Sequence, residues 1–117
     1  MSLERGRVVL IALDPTVGHE QRGVRPCVVV SDQAVNDEQR YPLLAVVPVT
    51  GTPGEGALYP PLARGASGLV KASYALVDQV RSVDKRRVQQ AFGCVAPEEL
   101  AAIDTGLALF LGLVDEG

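Results

Sequence analysis

The sequence predicts a mainly β fold of the α+β class, with several short strands followed by one C-terminal helix. Three observations predict it. Short apolar runs rich in β-branched residues (RVVLIAL, CVVV, LLAVVPV) recur between Gly- and Pro-bearing turns. Only one stretch, 97–113, carries its apolar residues at helical spacing. Glycine and proline concentrate between the runs, and no internal repeat or linker appears.

Residues 7–13 form the first expected strand, ended at Asp14-Pro15, where the proline forces a turn. The loop from Asp14 to Val24 leads into a second strand, 26–31. Ser31-Asp32 then offers an N-cap for a short helical turn closed by Asn36-Asp37. Residues 43–49 form a third strand, and Pro48 near its end predicts that pairing stops there or that the segment lies at an edge. Five glycines and three prolines in 51–68 predict a mobile loop with a short extended piece around Leu58 to Leu62. A further strand is expected within 69–80, ending in YALVDQV, and a last one at 88–95. Between them, Arg81, Lys85, Arg86 and Arg87 cluster around Ser82 and Asp84.

The helix has Pro97 at its first position, and Glu98-Glu99 complement its N-terminal dipole. Leu100, Ile103, Leu107, Phe110, Leu111 and Val114 share one face, which Leu109, Leu113, Ala102 and Gly106 widen to roughly 200°. That exceeds what a helix on a small barrel needs to bury, so a second packing partner is expected, most simply another copy of the chain. The alternative is a tail that covers one end of the barrel.

At 117 residues the chain is expected to form one domain, 1–117. It shows no signal-peptide layout and no run approaching 18 apolar residues, so a cytoplasmic location without a membrane span is expected. Cys27 and Cys94 fit no metal-ligand spacing, and both sit in apolar, strand-like contexts where free cysteine acts as a small hydrophobe. The net charge of −3 hides an asymmetry. Five of the 14 acids fall between Glu98 and Gly117, which leaves nine against 11 bases in residues 1–97. A body with a balance of +2 remains compatible with RNA.

The chemistry concentrates in GHEQRGVRPCVVVS, residues 18–31. A loop bearing His19, Glu20, Gln21 and Arg22 turns at Gly23 and feeds a core strand. Arg25 sits at the junction, where Pro26 holds it extended. Read alone, the stretch is either a built site or a polar hairpin loop with solvated charges.

DPTVGHEQRGVRPCVVVS, then VVPVT, then YALVDQVRSV, closed by VAPEEL before a helix, resembles the MazF/PemK family of toxin endoribonucleases from about Gly6 to Leu113. The resemblance implies an SH3-like antiparallel β-barrel of the PemK/CcdB type with a C-terminal helix, working as a homodimer. It implies sequence-selective cleavage of single-stranded RNA with no metal or other cofactor, neutralised by a cognate MazE-like antitoxin whose acidic segment fills the RNA groove. The family's catalytic arginine falls on Arg25, its catalytic threonine on Thr50, and the acid of its G-x-E-Q loop on Glu20, beside Gln21. Its RNA-groove segment falls on Asp78, Gln79 and Val80, with Arg81 and Ser82 following. His19 stands where some members carry serine.

Metal-free cleavage uses the 2′-hydroxyl of the RNA as nucleophile, so the protein must move a proton and stabilise extra phosphoryl charge. Arg25 presents a permanently cationic fork that matches two phosphate oxygens. Thr50 can donate to the same oxygens, although Thr52 is a second hydroxyl close by. Glu20 ranks first as base, and His19, the lone histidine, follows. Arg81, Lys85, Arg86 and Arg87 read either as a solvated face or as a phosphate track. Asp78 and Gln79 could bond a base edge. With three Tyr and two Phe, a broad stacking platform is not expected, and Tyr59 is the best single candidate for stacking. Two other readings share the scaffold: a CcdB-like gyrase-binding toxin, and an RNA-binding module that does not cut.

Overall fold

The computed structural model describes residues 3–114. Seven strands and two helices follow one another: β1 (Arg7–Ala12), β2 (Val24–Val29), α1 (Gln33–Asp37), β3 (Leu43–Thr50), β4 (Pro61–Leu62), β5 (Ser73–Ala75), β6 (Arg81–Asp84), β7 (Val88–Cys94) and α2 (Pro97–Phe110). All pairings are antiparallel, in the order β4-β5-β3-β2-β1-β7, with β6 also on β3. The result is a curled sheet, a half-barrel closed by α2, as expected for the fold class.

The apolar runs lack clean alternation because the sheet is buried on both faces. Val8, Val28, Val47 and Val49 face α2 and pack with Leu62, Val77 and Ile103. Their neighbours Val9, Cys27, Val29, Leu44 and Val46 turn the other way, onto Ile11, Leu13 and Val83. The polar ends are tied down locally. Asp32 accepts the Ala34 N–H at 3.0 Å to start α1, and Glu99 reaches back to the Ala96 N–H at 2.9 Å to start α2. Arg5 pairs with Asp104 of α2 and donates to the Val30 carbonyl at 3.0 Å, pinning the N-terminal segment across the helix.

Three expectations need correction. β3 is central, not an edge: its pairing with β2 does stop at Cys27↔Pro48, as the proline led one to expect, but β5 continues the other side to Thr50↔Tyr74. Segment 69–80 is not one strand. Beyond β5 it forms a 3₁₀ turn, Val77–Gln79, before β6 resumes the pairing with β3. The reason lies in Pro48, which has no N–H to offer. Val49 pairs with Ala75 and Val46 with Arg81, so five residues of the facing chain stand opposite only Val47 and Pro48. The surplus bulges out as the turn, and the Leu76 N–H closes onto the Pro48 carbonyl at 2.8 Å. Segment 51–68 also packs more closely than its composition suggests. Leu62 and Ser67 are buried, and a Cβ on Gly106 of α2 would stand 2.6 Å from the Ala57 carbonyl oxygen.

α2 ends at Phe110, short of the expected 113. Ile103 and Gly106 are buried, with Leu100 and Leu107 packed beside them on the core. Leu109, Phe110, Leu111, Leu113 and Val114 remain 45–73% exposed, so the tail does not cover an end of the barrel. None of the helices among the described residues is long and apolar enough to cross a membrane.

Candidate functional site

The bulge at 77–79 forms the floor of a groove between two loops, 14–22 and 51–60. Two concavities meet along it and share Gln21 and Gln79. One, about 380 Å³, is walled by Thr50, Thr52, Pro53, Tyr59 and Tyr74, with Leu76 below. The other, about 190 Å³, is lined by Glu20, Pro48, Asp78, Val80 and Arg81. A separate apolar groove between β4–β5 and the start of α2 contains none of the sequence-derived candidates.

Arg25 lies on β2 with its side chain exposed, its Nε donating to the Arg22 carbonyl at 3.0 Å. The β2–β3 ladder ends at Cys27↔Pro48, and continuing that register two residues sets Arg25 opposite Thr50. Thr50 ends β3 half-buried, and its hydroxyl oxygen accepts the Thr52 N–H at 3.1 Å. The hydroxyl proton is thereby left to point elsewhere. The neck of loop 14–22 is drawn together by Asp14, whose carboxylate accepts the Gly23 N–H at 3.1 Å and the Thr16 hydroxyl at 3.2 Å. Glu20 is exposed, and one of its oxygens accepts the Val17 N–H at 2.7 Å. His19 is exposed on the same loop.

The residues of the bulge hold their neighbours. Gln79 accepts the Gln21 N–H at 2.7 Å and donates to the His19 carbonyl at 3.4 Å. One oxygen of Asp78 accepts the Tyr59 hydroxyl at 2.5 Å, and the other is buried without a partner. Beside that carboxylate the Tyr59 hydroxyl is held above its ordinary pKa, first by the hydrogen bond and then by the charge. Tyr59 thus forms a fixed wall whose polar end is already engaged.

The basic cluster is largely turned toward the protein. Arg81 lines the smaller concavity while donating to the Leu13 carbonyl at 3.0 Å. Arg87 bonds the carbonyls of Ala12 and Asp14, and Lys85 those of Val35 and Glu38, with its ammonium 6.0 Å from the Tyr41 ring centre. Arg86 pairs with Asp84, which holds the Asp84 carboxyl below its usual pKa range. Ser82 is exposed between Arg81 and the buried Val83, and so stands on the opposite face of β6. Lys85, Arg86 and Ser82 therefore stand outside the groove, while Gln21, Asp78, Gln79 and Arg81 line it. Tyr74 and Leu76 escaped the sequence reading. They reach the site only through the β3–β5 pairing, which leaves no local signal.

A family model described as "PemK-like, MazF-like toxin of type II toxin-antitoxin system" matches residues 4–111. MazF from Deinococcus radiodurans is 29% identical, with TM-score 0.77, over 93% of this chain and 96% of that one. A MazE–MazF complex from the same organism matches at 27% identity and TM-score 0.76, over 97% and 99% of the two chains. An endoribonuclease in complex with its cognate antitoxin, from a mycobacterial species, matches at 26% identity and TM-score 0.75, over 95% and 96%.

Proposed function

The chain belongs to the PemK-like, MazF-like toxin family of type II toxin–antitoxin systems, and we propose that it is an endoribonuclease that cuts single-stranded RNA, chiefly mRNA, at a short recurrent word without a metal. The observation that carries this reading is Thr50 on the wall of a groove of about 380 Å³, large enough for a nucleotide; extending the β2–β3 register two residues past its last pair, Cys27↔Pro48, would set Arg25 opposite it.

In this reading the 2′-oxygen attacks the adjacent phosphorus, the bond from phosphorus to the 5′-oxygen breaks, and the products carry 2′,3′-cyclic phosphate and 5′-hydroxyl ends. The Arg25 fork takes two phosphoryl oxygens and favours the pentacoordinate transition state, because it is held before the reaction begins. Thr50 adds a hydroxyl donor to the same group. Glu20 receives the 2′-hydroxyl proton, and His19, the residue before it, is the alternative base or the acid for the leaving oxygen. Relatives solved with cognate antitoxins support a MazE-like antitoxin as partner. The exposed apolar residues from Leu109 to Val114 support a homodimer, and the absence of a membrane-spanning helix among the described residues fits action in the cytoplasm.

The test is cleavage of a long single-stranded RNA in EDTA by wild type, Arg25→Ala and Thr50→Ala, with product ends mapped. Wild type should cut at one recurrent word and leave cyclic-phosphate ends. Arg25→Ala should lose about a hundred- to a thousand-fold in rate, the usual cost of one preorganised donor to a charged transition state. RNA bound but left intact by wild type would overturn the enzyme reading.

A further inference from the structure

Asp78 and Gln79 line the groove and carry groups able to read bases, yet the structure engages those groups elsewhere. Both polar ends of the Gln79 amide are directed at the backbone of loop 14–22, onto Gln21 and His19, residues 58 and 60 positions away. One Asp78 oxygen holds the Tyr59 hydroxyl of loop 51–60, 19 positions away. The other is sealed from solvent and has no partner, so it offers no acceptor to a ligand in the groove. Both residues sit on the three-residue turn Val77–Gln79. The turn exists because five residues face two beside Pro48, and Val77 anchors it in the core.

We propose that Asp78 and Gln79 are positioning residues that brace the two loops flanking the groove, and that they do not read the RNA sequence. Gln79 sets the loop bearing Glu20 and His19, and Asp78 sets the loop bearing the Tyr59 wall. Because one rigid turn carries both, the distance across the groove is fixed from its floor. Glu20 and His19 ride on loop 14–22, whereas Arg25 and Thr50 lie on β2 and β3, and a displacement of about 1 Å between such groups can cost a hundred-fold in rate. The packing of loop 51–60 supports the same arrangement. A Cβ on Gly54 would stand 2.9 Å from that of Tyr59, so the loop backbone lies directly on the ring that Asp78 holds.

The proposal rests on the ribonuclease reading for its consequence in catalysis, though the brace itself can be measured without RNA. The variants are Gln79→Ala, Tyr59→Phe and Asp78→Asn, the last keeping an oxygen that can accept from Tyr59. Each is followed by amide hydrogen exchange and by steady-state cleavage with mapping of the word that is cut. Gln79→Ala should speed exchange at Gln21 about ten-fold, in line with the loss of one hydrogen bond. Gln79→Ala and Tyr59→Phe should each lower kcat about ten-fold or more with little change in KM and with the same word cut, whereas Asp78→Asn should stay within about three-fold of wild type. An altered word with unchanged Gln21 exchange would overturn the brace and make these residues readers. Faster Gln21 exchange in Gln79→Ala than in a wild type that itself cuts no RNA would keep the brace and remove the ribonuclease.

Discussion

Arg25 uses its Nε on the Arg22 carbonyl and leaves the far end of its exposed fork to solvent. A lysine there would supply the charge without the planar pair of donors, so Arg25→Lys should remain at least about a hundred-fold below wild type in initial cleavage rate. The two cysteines were legible as small hydrophobes, and burial now separates them. Cys27 is fully enclosed, and desolvation, partly offset by Arg81, pushes its thiol up to about 12. Cys94 is only half-buried. A thiol reagent at pH 8 should therefore modify Cys94 in the native protein and reach Cys27 only after denaturant is added, as counted by mass. The sign for stability follows from the same shift. The unfolded thiol ionises near its ordinary value of about 8.5, before the folded one. The contribution of Cys27 is thus complete below about pH 8.5 and is lost as pH rises toward about 12. Denaturant midpoints should fall over that range less steeply in Cys27→Ala than in wild type.

Among the elements, α2 and loop 51–68 depend on one another at Gly106. A methyl group there would meet the Ala57 carbonyl oxygen at 2.6 Å and Val77 at 3.2 Å, and neither backbone nor core valine can yield without moving the loop or the bulge. Gly106→Ala should destabilise the fold by about 1–3 kcal/mol, outweighing the gain alanine normally brings to a helix interior, and thermal denaturation measures it. Ile103→Ala, at a fully buried site on the same face, should cost about 2–5 kcal/mol. β1, β2, β3, α1 and the start of α2 were legible because each is announced locally, by β-branched runs, by Asp32 and by Pro97 with its two glutamates, whereas β6 read only as part of a basic cluster. The break between β5 and β6 was not. YALVDQV has the composition of a strand, and only its partner, with a proline at position 48, turns its last residues into a bulge.

For the molecule as a whole, the exposed apolar end of α2 is the outstanding feature. Phe110 and Leu111 are 47% and 54% exposed, and contiguous apolar surface of this kind marks an interaction site. A homodimer should appear in light scattering at micromolar concentration, and Phe110→Asp should shift it to monomer while circular dichroism stays unchanged. By itself the sequence determined the mainly β class, the C-terminal helix, and the gathering of charged and polar groups in residues 18–25 at the entry to a core strand. These follow from short-range composition and spacing, which act before any partner strand is chosen. Only the tertiary structure decided which polar groups face the groove. Arg81 shares its segment with Ser82, Lys85 and Arg86, yet it alone of the four lines the site, because strand alternation turns Ser82 outward and distant carbonyls or a neighbouring carboxylate engage the other two. Gln79 has the composition of a base reader and the bonds of a brace, because its partners lie about 60 residues away in the chain. Such partners are set by strand pairing and closure of the sheet, which no local pattern encodes.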